Sequence, residues 1–318
     1  MAVKPLTMAL ERTVENVGRY VQGKLTDIVA FPLEMAVWVA SPRFGRLVSV
    51  REEDHFRQGL ENTLRQGRRL VGIVNHQGLG DGIALAVTTK YIVQVAWQMG
   101  FNIEGFIMPV AASLELGGQG VLSQILYKAF TPNYERIGRV YSFPYTREEE
   151  SKYGLIRKKE TYLREVRAMI KGAASGLHVA VFVEGRVEGG RTNKETGRIN
   201  GLVEVKKDIP IQFFELMANQ GFSADFLPIG IDGSYRYFSA DHRLPTGELL
   251  RGLLGREVDP VISRVGEVVS LEEVSDLYGK PGKDNAEQVT RFLMGRVAGL
   301  LPDEVRGVYR NEVRQTLN

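Results

Sequence analysis

The chain contains no cysteine, which excludes disulfide bonds, a thiol nucleophile and thiolate metal ligands. Histidine is scarce as well, with 4 residues in 318, although it is the side chain that ordinarily titrates near neutral pH. His55, His76, His178 and His242 lie far apart in the sequence, so no pair has the short spacing typical of a zinc site. We therefore expect chemistry without a metal or a cofactor, built around a single histidine.

Long apolar runs and strong charge are missing too. The most hydrophobic stretch, residues 31–40, contains Pro32 and Glu34 and falls short of the roughly 20 apolar residues that cross a bilayer. The N-terminal residues lack the basic-then-apolar pattern of a secretory signal. A net charge of +3 is too small to favour a nucleic-acid partner. The sequence predicts a cytoplasmic protein without a transmembrane helix, whose local basic groups suit a peripheral membrane surface or an acidic carrier protein.

Two familiar catalytic patterns are also absent. There is no Gly-x-Ser-x-Gly sequence, which argues against a serine hydrolase built on a nucleophile elbow. The Gly78-Leu79-Gly80 sequence lacks the third glycine of the dinucleotide-binding pattern.

Hydrophobic spacing predicts an α/β fold with a mostly parallel central sheet flanked by helices. Apolar residues at spacings of three and four indicate amphipathic helices near the N-terminus, within residues 6–25 and 56–64. Short buried runs then alternate with longer periodic segments, as in a parallel sheet. The predicted strands are Leu70–Asn75, Glu104–Val110, Ile137–Phe143, His178–Glu184 and Asp225–Ile231. We assign residues 1–65 to an N-terminal helical region and residues 66–318 to one α/β domain.

Three further helices are predicted from local signals. One covers Lys152–Ala174, where glycines mark its end. The other two begin at Ser270-Leu-Glu-Glu273 and Asp284-Asn-Ala-Glu287, since both sequences have the spacing of a capping box.

The sequence Asn75-His76-Gln77-Gly78-Leu79-Gly80-Asp81 follows the first predicted strand. Two glycines allow the chain to turn, so that Asp81 can fold back and bind one imidazole nitrogen of His76. The other nitrogen then acts as a general base. Asp81 as the N-cap of the next helix is the structural alternative.

A second loop follows the strand His178–Glu184. It contains Glu184-Gly185-Arg186 and Glu188-Gly189-Gly190-Arg191. Glycines expose backbone amides, and arginine donors match phosphate oxygens. The loop fits an anion site, although exposed arginines in such loops are commonly only solvated.

Four separated blocks resemble the glycerolipid acyltransferases, which include glycerol-3-phosphate and lysophosphatidate (1-acylglycerol-3-phosphate) acyltransferases. The His76-to-Asp81 spacing matches the family's His-x4-Asp motif, and the other three blocks are Ile137–Ser142, Phe182–Arg186 and Phe226–Ile231. The resemblance covers roughly residues 65–310. This chain departs from the family pattern at Gly78 and Gly80, where a Ser or Thr is usual, and at Val183, where a proline is usual.

The resemblance implies an O-acyltransferase of phospholipid biosynthesis. His76 would activate the acceptor hydroxyl for attack on an acyl-CoA or acyl carrier protein thioester, with no acyl-enzyme, and Asp81 would orient it. Arg139, Arg186 and Arg191, together with Glu184 and Gly185, would hold the acceptor phosphate. The acceptor is glycerol 3-phosphate at its sn-1 hydroxyl, or alternatively lysophosphatidate. The register of the third block is open between Glu184 and Glu188. Outside the family, a His-Asp hydrolase and a non-catalytic lipid-binding protein remain alternatives.

Overall fold

The structure is a computed structural model, which describes residues 28–39, 41–78, 80–111, 121–145, 171–172, 174–183, 201–205, 209–237 and 246–316. Its centre is a mostly parallel sheet of seven strands. The strands are β1 (Val48–Glu52), β2 (Arg69–Val74), β3 (Gly105–Ala111), β4 (Val140–Tyr145), β5 (Leu177–Phe182), β6 (Ala224–Asp232) and β7 (Val261–Val265).

The strand order across the sheet is β1-β7-β6-β2-β5-β3-β4. All pairs are parallel except β6 with β7, which is antiparallel. The predicted α/β class with a mostly parallel sheet is therefore confirmed. Because β2, the strand before His76, lies in the middle of this order between β5 and β6, the His76 loop begins at the best-supported part of the sheet.

Helices cover both faces of the sheet. The helices of the described part are α1 (28–39), α2 (Phe44–Leu47), α3 (Phe56–Arg65), α4 (Asp81–Gln98), α5 (Val121–Gly138), α6 (Ile209–Ala218), α7 (Gly247–Leu253), α8 (Leu271–Tyr278), α9 (Ala286–Gly299) and α10 (Arg310–Thr316). Four short 3₁₀ turns lie at Ser41–Arg43, Ser234–Tyr237, Asp303–Val305 and Gly307–Tyr309.

Two apolar cores lie between the sheet and its helices, one on each face. The first contains buried side chains of α1 to α5 and α7, and the second contains those of α6 and α8 to α10. Burial of apolar area on both faces is the principal stabilising contribution in such a three-layer fold. None of the helices in the described ranges combines the length and apolar character needed to cross a bilayer.

Several predicted elements need correction. Ile137 and Gly138 were expected to begin a strand, but they end α5, and β4 starts at Val140. The helix start predicted at Ser270 is confirmed, because the Ser270 hydroxyl accepts a hydrogen bond from the Glu273 amide at 3.0 Å. The Glu273 side chain accepts from Arg296 at 2.6 Å. The Asp284 capping box is wrong: the helix begins after Asn285, which makes no side-chain cap.

The described part of residues 1–65 contains a strand as well as helices. β1 lies within residues 1–65 and joins the central sheet beside β7, so this region contributes a strand to the α/β unit as well as helices. The helix predicted within residues 6–25 lies outside the described residues, as does most of Lys152–Ala174, whose described end at 171–172 and 174 is helical.

Candidate active site

The loop from Asn75 to Asp81 joins the end of β2 to the start of α4. Asn75 extends the sheet by one further pairing, because its side-chain amide donates to the Ile231 carbonyl at 2.8 Å and accepts from the Ile231 amide at 2.7 Å. This side chain thus bonds β6 as a strand backbone would. Asn75 is therefore held in place at the carboxyl edge of the sheet, and His76 follows it directly. Open α/β sheets bind ligands at this edge.

Asp81 binds His76 directly. The distance from His76 Nδ1 to Asp81 Oδ2 is 2.7 Å. The same oxygen accepts the backbone amides of Gln77 at 2.6 Å and Gly78 at 2.9 Å. An oxygen that accepts two amides carries no hydrogen, so the hydrogen of the third contact belongs to Nδ1. In the neutral imidazole, the lone pair is then on Nε2.

The Asp81 carboxylate is completely buried, with 0% of its surface exposed. Its second oxygen, Oδ1, accepts a hydrogen bond from the Ser234 hydroxyl. Asp81 also occupies the first turn of α4, where the helix dipole favours negative charge. A buried carboxylate requires such compensation, and these donors hold it in one orientation towards His76.

The alternative role of Asp81 as an N-cap is not observed. The N-cap of α4 is Gly80, and no side chain caps the helix there. The carboxylate instead bonds amides that precede the helix. Its geometry is that of an orienting group for the imidazole.

Phe182 supports the other side of His76. The two rings are stacked, with centroids 4.6 Å apart and planes inclined by 20°. Phe182 is the last residue of β5, and the next amide, of Val183, donates to the Val74 carbonyl at 3.0 Å. The His76 side chain retains 18% exposure. The imidazole is thus held by Asp81 and Phe182 and still reaches solvent.

The turn after β6 contacts the loop from Asn75 to Asp81. The Gly233 amide donates to the Gln77 side-chain oxygen at 3.2 Å, and Ser234 is buried beside Asp81. The role of Ser234 was not predicted. The available signal was its position just after a predicted strand, on the edge where the loop after β2 also emerges.

Arg139 lies at the opposite edge of the sheet. It directly precedes β4, level with Leu177 at the amino end of β5, whereas His76 lies two residues beyond the pair Val74–Phe182. Along the strand direction, Arg139 and His76 are therefore separated by seven residues, or about 23 Å. The interpretation of Arg139 as a phosphate ligand beside His76 is corrected by this placement.

Arg139 has a backbone role instead. Its φ is 54°, its amide donates to the Glu135 carbonyl at 2.8 Å, and its carbonyl accepts from the Phe106 amide at 2.9 Å. A residue in the left-handed region is a common way to end a helix, and here it turns α5 into β4.

The remaining predicted phosphate ligands, Glu184, Gly185, Arg186 and Arg191, and the alternative Glu188, lie outside the described residues. His242 does as well. The described end of β5 at Phe182 is nevertheless next to His76, so the strand that leads into the glycine- and arginine-rich loop reaches the site.

His178 belongs to the core. It is fully buried, and its Nδ1 accepts the Leu70 amide at 2.8 Å. Burial, assisted by the charge of Arg69, lowers the pKa of His178 from 6.5 to about 3. An imidazole that is buried in this way and bonded to a backbone amide has a structural role.

Comparison with protein-family models finds no match to this chain, and comparison with curated proteins finds none either. Within the described ranges, no three histidine or carboxylate side chains form a group that could hold a metal ion.

Proposed function

We propose that the protein is an acyltransferase that moves a fatty acyl group from a thioester, acyl-CoA or acyl carrier protein, to the hydroxyl of a glycerol-phosphate acceptor. The observation that carries this proposal is the pairing of His76 Nδ1 with the buried Asp81 carboxylate at 2.7 Å. The four sequence blocks that resemble glycerolipid acyltransferases add the acceptor class. The favoured acceptor is glycerol 3-phosphate at its sn-1 hydroxyl.

In this mechanism, His76 Nε2 takes the proton of the acceptor hydroxyl as the hydroxyl oxygen attacks the thioester carbonyl. Asp81 keeps the hydrogen on Nδ1 and stabilises the imidazolium that forms. Collapse of the tetrahedral intermediate expels the thiolate, which takes the proton back from His76. No acyl-enzyme is required.

The placement of Ser234 favours transfer by direct attack over a serine hydrolase. Its hydroxyl is buried and donates to Asp81, whereas a nucleophilic serine donates to the imidazole base. Ser234 therefore supports the orienting carboxylate.

The sharpest test is a thioester assay with two donors and two acceptors. Palmitoyl-CoA and palmitoyl-acyl carrier protein are each offered with glycerol 3-phosphate or with its 1-acyl derivative. Product from glycerol 3-phosphate supports the favoured acceptor, and product from only the monoacyl compound identifies the second acylation step. Thioester loss that does not depend on an acceptor would instead favour a hydrolase.

His76→Gln is the matched variant for this assay. The loss of a general base typically costs about 10²–10⁴ in rate. Folded His76→Gln protein that retains the wild-type rate would overturn the proposed mechanism, and tight acyl-ligand retention without turnover would favour a lipid-binding protein.

A further inference from the structure

The helix α1 has apolar residues on two sides. Ala30 and Val37 are buried, at 3% exposure each, and Leu33 packs with Val37 against the first core. This side fixes the helix to the α/β unit. It leaves a different set of apolar side chains directed outward.

The outward set forms a continuous row, which we name the apolar stripe: Ile28, Phe31, Met35 and Trp38, exposed by 69%, 63%, 37% and 47%. Spacings of three, four and three residues place these side chains along one side of a helix. The neighbouring Val29 and Val39 are exposed as well. Isolated exposed apolar residues are ordinary, but a contiguous exposed row marks an interaction surface.

Positive charge accompanies the apolar stripe. The Arg136 guanidinium lies 6.0 Å from the centre of the Trp38 ring. Residues 28–46 contain one acidic side chain, Glu34, which pairs with Arg136 at 3.6 Å. Arg43 and Arg46 are both exposed in the segment that follows α1. The surface is therefore apolar and net positive.

A second exposed apolar group adjoins this segment. Arg43 donates to the Leu253 carbonyl at 2.6 Å, which joins the turn after α1 to the end of α7. Leu250 and Leu254 at this end are exposed by 52% and 70%. Arg43 thus connects two exposed apolar groups.

We infer that the apolar stripe docks on the surface of an anionic phospholipid bilayer. A helix that lies in the membrane interface has an exposed apolar side, an amphipathic aromatic residue and flanking arginines. The apolar side chains enter the acyl boundary, and the arginines meet the lipid phosphates. This contact is independent of the proposed chemistry, because vesicle binding is measured without any substrate.

Fluorescence offers a direct test, since the chain has two tryptophans, Trp38 and Trp97. In Trp97→Phe protein the emission comes from Trp38 alone, and in Trp38→Phe protein it comes from Trp97, which is 74% exposed at the far end of α4. With vesicles of phosphatidylcholine and phosphatidylglycerol, we expect Trp38 emission to shift to the blue and to be quenched by brominated lipid. Trp97 emission should stay unchanged.

Vesicle sedimentation supplies the matched variants. Phe31→Ser combined with Trp38→Ser should lower the partition coefficient by about tenfold or more, since each side chain loses apolar burial. Leu277→Ser removes a side chain of similar exposure, 58%, from α8 on the other face of the sheet and should change nothing. Binding should weaken with added salt and with phosphatidylcholine alone.

Three results would overturn the inference. Equal shifts of Trp38 and Trp97 would indicate unspecific adsorption. Trp38 emission that is already blue without vesicles, and does not respond to them, would indicate that residues before 28 cover the apolar stripe. Emission that depends on protein concentration, again without a vesicle response, would indicate pairing with a second copy of the chain.

Discussion

Gly80 approaches the Ser234 backbone so closely that a Cβ on residue 80 would lie 2.7 Å from the Ser234 carbonyl oxygen. The φ of Gly80 is −65°, a value that any residue adopts, so glycine is required there for space. This approach brings the turn after β6 against the start of α4 and lets the Ser234 hydroxyl reach Asp81.

We predict that Gly80→Ala lowers the turnover number by about 100-fold, because it displaces Asp81 relative to His76. It should also reduce the free energy of unfolding by about 1–3 kcal/mol through overpacking. The control is Gly299→Ala at the end of α9, where an added Cβ contacts nothing within 4 Å and stability should be equal or higher. Urea unfolding and the thioester assay measure both. Normal activity in Gly80→Ala protein would contradict a fixed contact between these segments.

Ser234→Ala should lower the turnover number by about 10- to 100-fold and leave the KM of the acceptor nearly unchanged. The reason is that Ser234 contacts Asp81 and acts through its orientation. Ser263 is an equally buried serine, bonded to Thr88 at 2.7 Å on the other side of β6. Ser263→Ala should affect stability alone. Similar turnover in the two variants would reduce Ser234 to a packing role.

Arg139→Gly should leave the KM of the acceptor unchanged and raise thermal stability. Glycine adopts a φ of 54° without the steric cost that arginine has, a gain of about 0.5–1 kcal/mol. Thermal unfolding and acceptor titration measure the two effects. A large increase in the acceptor KM would show that Arg139 reaches the substrate despite its place at the amino end of β4.

Stability should decrease in mild acid through His178. As pH falls below 6.5, the unfolded histidine gains a proton, while the folded one, whose pKa is about 3, does not. The unfolded state is therefore favoured progressively, by about 2 kcal/mol at pH 5. His178→Asn keeps an acceptor for the Leu70 amide and removes the titration. Urea unfolding at about pH 7.5 and about pH 5 should show a smaller acid loss in this variant than in wild type; equal losses would contradict the assignment.

Five strands could be predicted from the sequence because each is a short run rich in aliphatic, β-branched and aromatic residues, as in the strands of a parallel sheet. β1 and β7 were missed for the converse reason. β1 has one buried residue followed by partly or fully exposed ones, and β7 alternates buried and partly exposed residues. Charged side chains, Arg51 in β1 and Arg264 in β7, interrupt their apolar character. No local pattern distinguishes such a segment from a surface loop.

The contact between His76 and Asp81 was predictable because only four residues, two of them glycines, lie between them. Ser234 lies 153 residues from Asp81, so its role depends on β6 pairing with β2. Arg139 was assigned to the site from the resemblance of Ile137–Ser142 to a family motif, and the strand predicted there began three residues early. That error moved the arginine from the turn before β4 into the strand itself.

The pairing of β1 with β7 bears on the order of folding. Val48 lies beside Val261, so about 210 residues must be synthesised before these partners can meet, and loop closure of that length is slow. During synthesis β1 emerges early, but it can join the sheet only after β7 has been made. Completion of the sheet by β1 is therefore expected to be a late event in folding.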